Sequence, residues 1–439
     1  MTASQIKDVR ARQVWDSRGY PTVEVDIILQ NGAVGRAIAP AGASRGSREA
    51  LDLRDGGART SGKGVMGALQ NVEKTIAPAL IGMDVADQFD IDQKLIALDG
   101  TALKSNLGGN AMIATSLAVT HAAAAASGLP LWQYVAQAFG ATPSIPLPEI
   151  QIYGGGAHAG RRVDIQDFMI MVPGADSFAE ALEVTEKVYR AAGGIISERF
   201  GGQVGVADEG GWWPVFENNE QALQCLVEAI ERAGETPGDR VVISLDIAAS
   251  EFFADGKYNL ALENRSLEPD EFIDLLARWI NTYPIASIED PLSEGDDAGM
   301  AEFTRRFGNR VQIIGDDYLV TNQRLVEEAA ARGACNSVLI KVNQAGTISE
   351  ALGAFSAART VGFETIVSAR SGETEDTSIS HLSIGLGAEQ LKVGSFTRSE
   401  RMAKWNEVLR IAEDPESGHF VGGAPLRKTW WHSKKVRAA

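Results

Sequence analysis

The stretch "VQIIGDDYLVTNQRLVEEAAARGACNSVLIKVNQAGTISEALGAFSAARTVGFETIVSAR", residues 311–370, decides the fold. Within it "VQII", "SVLI" and "TIVS" are short apolar runs, each followed by a segment of helical pattern, and they recur at about 26 residues. Short apolar runs alternating with helices read as parallel βα units, because a parallel strand is buried on both faces and needs a crossover to reach its neighbour. The same texture extends back to "VVISL" (241–245) and "ASI" (286–288), and forward to "LKV" (391–393). Six or more such units in roughly 290 residues predict a closed α/β barrel. An open doubly wound sheet is the alternative, but no Gly-rich nucleotide fingerprint follows any of these strands. "GGGAHAG" (154–160) reads by composition as a flexible loop.

Residues 1–138 read as a separate, smaller α+β unit. "TVEVDIILQNGAVGRAIAP" (22–40) alternates apolar and polar residues around Asn31–Gly32, a hairpin signal. Helical patterns follow at roughly 65–80 and 110–127, the second stopped by Gly128 and Pro130, with His121 inside it as a packing residue. "GATPSIPLP" (140–148) has the composition of a linker into a barrel domain over 139–425, and "LRKTWWHSKKVRAA" (426–439) reads as a basic surface or interface tail.

An apolar fraction of 44% and a charged fraction of 23% are those of an ordinary globular protein. The start "MTASQIKDVRARQVW" lacks an apolar signal region, and no apolar run approaches the ~20 residues of a membrane span. Cys225 and Cys335 stand alone, so neither a disulfide framework nor a zinc cluster is expected and the setting reads as reducing and cytoplasmic. A net charge of −17 speaks against nucleic acid and acidic membranes as partners, so neither is expected. An acidic protein that binds a small anion must therefore concentrate positive charge locally, through Arg, Lys or a metal.

Barrels place their chemistry at the ends of strands. There the sequence puts Asp246 after "VVISL", Glu289 after "ASI", Asp316 after "VQIIG", Lys341 after "SVLI", Ser368 to Ser371 at the end of "TIVS", and Lys392 in "QLKVG". Three successive carboxylates without a nearby Cys or His suit a hard, oxygen-bound cation such as Mg2+. Lys341 and Lys392 are a candidate base and a candidate electrostatic clamp, since a lysine whose pKa is depressed can accept a proton. "VADEGGWWP" supplies Asp208–Glu209 as an acid in a Gly-flanked turn, and Arg370 with Ser371 has the chemistry of an anion holder.

The blocks "DSRGYPTVEV", "GASRGSREAL", "DEGGWWP", "SLDIAASEF", "IEDPL", "GDDYLVTN", "LIKVNQAGT", "RSGETEDT" and "QLKVGSFTRSER" resemble enolase (phosphopyruvate hydratase), in the family's order, over about residues 5–412. The resemblance implies an eight-stranded α/β barrel capped by the smaller N-terminal domain, in a homodimer or a multiple of dimers. It implies two Mg2+ ions per site, with Asp246, Glu289 and Asp316 holding the first and Ser44 helping to hold the second. It also implies a small phosphorylated carboxylate as substrate. Lys341 matches the base beside the substrate carboxylate, and Glu209 the acid that protonates the departing hydroxyl. Arg370 and Ser371 match the phosphate holders, Lys392 the lysine at the carboxylate end, and His158 the histidine of a mobile loop.

The chain departs from that pattern in one pocket. Ala369 stands where the family has histidine, Arg45 where it has threonine and Gly154 where it has asparagine. Asp167 replaces a supporting glutamate, its oxygens drawn back by roughly 1.5 Å, one C–C bond. Arg161 and Arg162 enter the His158 loop. Loss of an imidazole and gain of guanidinium groups open three readings: an ordinary enolase acting on 2-phosphoglycerate, a dehydratase for an analogue extended and more anionic at phosphorus (a carboxyphosphono compound of phosphonate biosynthesis), and a non-catalytic binding descendant. Arg45, with Arg161 or Arg162, would supply the extra cation of the second reading. The third is disfavoured by the retained base, acid and carboxylates, which a binding module does not need.

Overall fold

The computed structural model describes residues 3–201 and 205–438. Residues 1–2 of the amino-terminal stretch and residue 439 of the basic tail lie outside them. The N-terminal domain begins with an antiparallel meander, β1 (Ile6–Trp15), β2 (Pro21–Leu29) and β3 (Val34–Ile38), turned at Asn31–Gly32 as the alternation predicts. Val23, Val25, Ile27 and Leu29 of β2 are buried on one face, toward the helix Gly109–Ser127. On the other face Glu24 and Asp26 are roofed by Arg12 and Arg36. Helical segments occupy 66–80, as the pattern at 65–80 predicts.

Eight strands close into a barrel. In chain order they are β4 (Leu147–Gly154), β5 (Asp167–Met171) and β6 (Val242–Asp246), then, after a small sheet of β7 (Phe253–Ala254), β8 (Lys257–Leu260) and β9 (Arg265–Leu267), β10 (Ile285–Glu289), β11 (Gln312–Gly315), β12 (Ser337–Ile340), β13 (Glu364–Ser368) and β14 (Gln390–Ser395). The ring runs β10-β11-β12-β13-β14-β4-β5-β6. Every strand read from the repeat is present. The two that the repeat does not contain are β4, which lies parallel to β14, and β5, which corrects the expectation of parallel units. The linker reading of "GATPSIPLP" runs into β4, of which Leu147 and Pro148 are part. β5 runs antiparallel to both neighbours, so β4 and β5 form a hairpin within the barrel. Reversal brings the first residue of β5 to the same rim as the last residues of the other strands, and Asp167 pairs in register with Asp246 and Gly154.

The tail packs across the opposite end. Leu426 and Trp431 are buried with Leu147, Met171, Val242 and Ala286, and the Trp430 and Trp431 indoles donate to the carbonyls of Ile285 and Asp239. Its basic residues pair locally, Arg427 with Glu364 (2.8 Å) and Lys435 with Asp239 (2.6 Å). Among the described residues no single helix is long and apolar enough to cross a membrane.

Candidate active site

Around the rim the ring order fixes who faces whom. Adjacent strands β6, β10 and β11 deliver Asp246, Glu289 and, one residue beyond the strand, Asp316. Lys341 follows β12, Ser368 to Ser371 close β13, and Lys392 lies in β14. β5, which delivers Asp167, is four strands from β12 in an eight-strand ring and so stands across the barrel from Lys341. Glu209 joins Asp167 from a turn laid over the rim, its carbonyl accepting from Ser395 N–H (2.9 Å). Ser44, His158, Asp167, Glu209, Asp246, Lys341, Arg370, Ser371 and Lys392 all border one small cavity, together with Gln166 and Ala369.

Two ammonium groups hold the carboxylates together. Lys392 Nζ donates to Asp246 Oδ2 (2.9 Å) and Glu289 Oε2 (2.6 Å), and Lys341 Nζ donates to Asp316. Burial pushes Glu289 far above the usual carboxylate range, reinforced by the charge of Asp246. Burial would raise Asp316 too, but Lys341 and Arg370 outweigh it and hold it at about 2. Burial would lower Lys341, but the carboxylates around it, Asp316 foremost with Glu289, together raise it. A depressed lysine is therefore not what this arrangement produces: Asp316 keeps the ammonium protonated.

The same carboxylates fit a hard cation. Every donor is oxygen, the like charges are buried side by side, and Glu289 Oε1 has no hydrogen-bond partner. A second acidic group, Asp290, Asp316 and Asp317, also converges closely enough to share an ion. There Asp290 is already committed, accepting from the backbone N–H of Asp316 (2.9 Å) and Asp317 (2.7 Å), which aims the Asp316 loop.

Across the cavity His158, Asp167 and Glu209 converge, with His158 Nδ1 at 3.5 Å from Glu209 and 3.7 Å from Asp167. Burial raises the pKa of Glu209, so it retains a proton more readily than an exposed glutamate. His158 is raised as well, burial being overcome by the two carboxylates. The shorter Asp167 still reaches the cluster: it accepts from Gln151 Nε2 and lies 3.7 Å from Lys392 Nζ. Gly154 has a local reason, since a Cβ there would lie 2.5 Å from the Ala207 Cβ, where the acid's turn packs on β4.

The Arg370 guanidinium meets Glu49 through both terminal nitrogens (3.1 Å each), Asn343 Oδ1 (2.9 Å) and the Ser44 carbonyl (3.2 Å). A Cβ on Gly42 would come within 2.0 Å of it, so the loop can close over Arg370 only with glycine there. Ser371 Oγ accepts from Ala43 N–H (2.6 Å), and the fully buried Arg401 clamps the carbonyls of Arg370 and Ser371 (2.6 Å each).

Three arginines expected near the Ala369 space turn elsewhere. Arg45 donates to the Ala50 carbonyl (2.8 Å) and leans on Glu49. Arg161 pairs with Glu251 (2.9 Å), and Arg162 stacks on Trp213 with its carbon 4.3 Å from the ring centre. None of them borders the cavity. The sequence reading passed over Gln166, which donates to Asp246 Oδ2 (3.0 Å) while its own Oε1 is buried without a partner. It also passed over Glu49, Asp290 and Asp317. The doubled acids in "IED" and "GDD" were a usable signal for the last two; a lone glutamine carries none.

Two family models match the chain nearly end to end. The model described as the enolase N-terminal domain matches residues 6–135, and that described as the enolase C-terminal TIM barrel domain matches residues 142–429.

Proposed function

The chain belongs to the enolase family and is an enzyme of the lyase type; on that premise we propose that it is a Mg2+-dependent hydro-lyase that removes water from 2-phosphoglycerate, or a close variant, to give the enol phosphate. The observation that carries the proposal is that a lysine and a buried glutamate, Lys341 and Glu209, reach one cavity from opposed parts of the rim. A proton beside a carboxylate is weakly acidic, because its loss puts a second negative charge on that carboxylate. Mg2+ held by Asp246, Glu289 and Asp316, with Ser44 toward a second ion, would stabilise that dianion more than the ground state. Lys392, among the same carboxylates, secures the substrate carboxylate. Lys341 takes the α-proton once Asp316 is engaged by something other than its ammonium. Arg370 and Ser371 hold the phosphate. Glu209 gives its proton to the leaving hydroxyl, with Asp167 and His158 fixing its position and keeping bulk water out. Phosphorus NMR of 2-phosphoglycerate with the purified protein tests this: the enol phosphate should form with Mg2+, stop on chelation and return on readdition. Turnover at an unchanged rate without any divalent cation would refute the metal assignment.

A second reading is favoured by one residue. Ala369 places a methyl beside Arg370 and Ser371 in the cavity lining, where a larger group at phosphorus could sit. With Arg45, Arg161 and Arg162 committed elsewhere, that reading rests on the small side chain of Ala369 rather than on added charge.

A further inference from the structure

Gln344 is buried at 2% exposure, three residues after Lys341, and every hydrogen-bonding atom of its amide is used. Its nitrogen donates to Asp316 Oδ1 (2.8 Å) and to Glu49 Oε1 (3.2 Å). Its oxygen accepts from Thr321 Oγ1 (2.7 Å), and the same hydroxyl accepts from the Lys341 backbone N–H (2.9 Å). Its own carbonyl accepts from Ala50 N–H (2.8 Å) in the loop that carries Ser44 and Glu49. Thr321 and its neighbour Val320 both hold left-handed backbones (φ 51° and 43°). β-Branched residues adopt that conformation only where their surroundings impose it. The strain lies where the Thr321 hydroxyl is delivered between Lys341 and Gln344.

We propose that Gln344 is a positioning residue that locks the cation half of the site to the anion half, a role that rests on the function proposed above. Asp316 belongs to the cation half, with Lys341. Glu49 belongs to the anion half, through its paired bonds to Arg370. The two carboxylates repel each other, and one neutral amide nitrogen with two N–H groups bridges them without adding charge. Among side chains only Asn and Gln offer that nitrogen together with an acceptor for Thr321, and Gln has the longer reach. Gln344 touches neither cation nor phosphate directly, so its effect should appear in both affinities at once.

The test is calorimetric and needs no turnover: Mg2+ is titrated into the protein, and inorganic phosphate into the protein saturated with Mg2+. Gln344→Met should weaken both by about tenfold, the worth of one hydrogen bond to a charged group, with a thermal melt showing the variant folded. Glu49→Gln should weaken phosphate and leave Mg2+ within about twofold. If Gln344→Met does not fold, Gln344→Leu, which likewise cannot donate, should show the same joint loss. Either affinity staying within about twofold of wild type in a folded Gln344 variant would overturn the proposal. So would failure of both variants to fold, which would make the residue purely structural. A wild-type protein that binds neither Mg2+ nor phosphate would instead overturn the underlying function, before any variant is made.

Discussion

Lys341 and Glu209 act on different bonds of one substrate, so their removal should leave different partial reactions. Lys341→Ala should stop exchange of the substrate α-proton with solvent deuterium and lower kcat by about 10²- to 10⁴-fold, the usual worth of a positioned base. Glu209→Gln should still allow that exchange while blocking loss of the hydroxyl. Equal exchange in wild type and Lys341→Ala would take the base role away from Lys341. Ala369 bears on the size of the phosphate end: Ala369→His refills the corner beside Arg370, so it should lower turnover of an analogue extended at phosphorus relative to 2-phosphoglycerate. An unchanged ratio of the two kcat/KM values would reduce Ala369 to a tolerated loss. The charged positions stood out in the sequence because three carboxylates and two lysines at successive strand ends have few structural reasons to occur together. Gln166 and Gln344 were not, because a neutral amide looks the same whether it faces water or orients a carboxylate.

The strands that were read and those that were missed differ in what they bury. β11, β12 and β13 each centre on an unbroken apolar stretch (Ile313–Ile314, Val338–Ile340, Ile366–Val367) and are spaced by helices, so the repeat announces them. β4 carries Glu149 and Gln151 into the barrel interior, where Glu149 is met by Ser244 and Gln151 by Asp167, and polar residues facing inward erase the pattern. β5 has no crossover helix before it, only the loop carrying His158, so it falls outside the βα rhythm. Contacts between elements also set pH behaviour. His121, on the helix Gly109–Ser127, meets Ser378 Oγ at 2.7 Å where the N-terminal domain rests on the barrel. Burial lowers its pKa below the ordinary 6.5, against an opposing pull from Asp376. The folded state therefore binds this proton less readily than the unfolded chain. The stability it contributes is present above pH 6.5 and lost as pH falls through the lowered value. The urea midpoint of wild type should fall relative to that of His121→Gln as pH drops through this range, and a constant difference between the two across it would show that His121 does not titrate.

A chain with a net charge of −17 repels small anions at long range, yet the cavity concentrates Lys341, Arg370 and Lys392 within one buried space. Those cations are neutralised by Asp316, Glu49 and Asp246, so the resting site is close to balanced. With a divalent cation held by Asp246, Glu289 and Asp316, Lys341 and Lys392 would be released from those carboxylates to meet the substrate. The barrel and its cap were foreseeable from the repeat and from the quoted motifs. The cross-links that tie cap to barrel, Arg370 to Glu49 and Gln344 to Glu49 and Ala50, come together only on folding. The most direct measurement is the rate of enol phosphate formation from 2-phosphoglycerate and from its phosphorus-extended carboxylated analogue, each as a function of Mg2+ concentration. Dehydration of at least one of them that rises from zero with Mg2+ is the expected result, with kcat/KM for 2-phosphoglycerate above roughly 10⁵ M⁻¹s⁻¹ marking it as the substrate. No dehydration of either compound at any Mg2+ concentration, by protein shown to be folded, would contradict it.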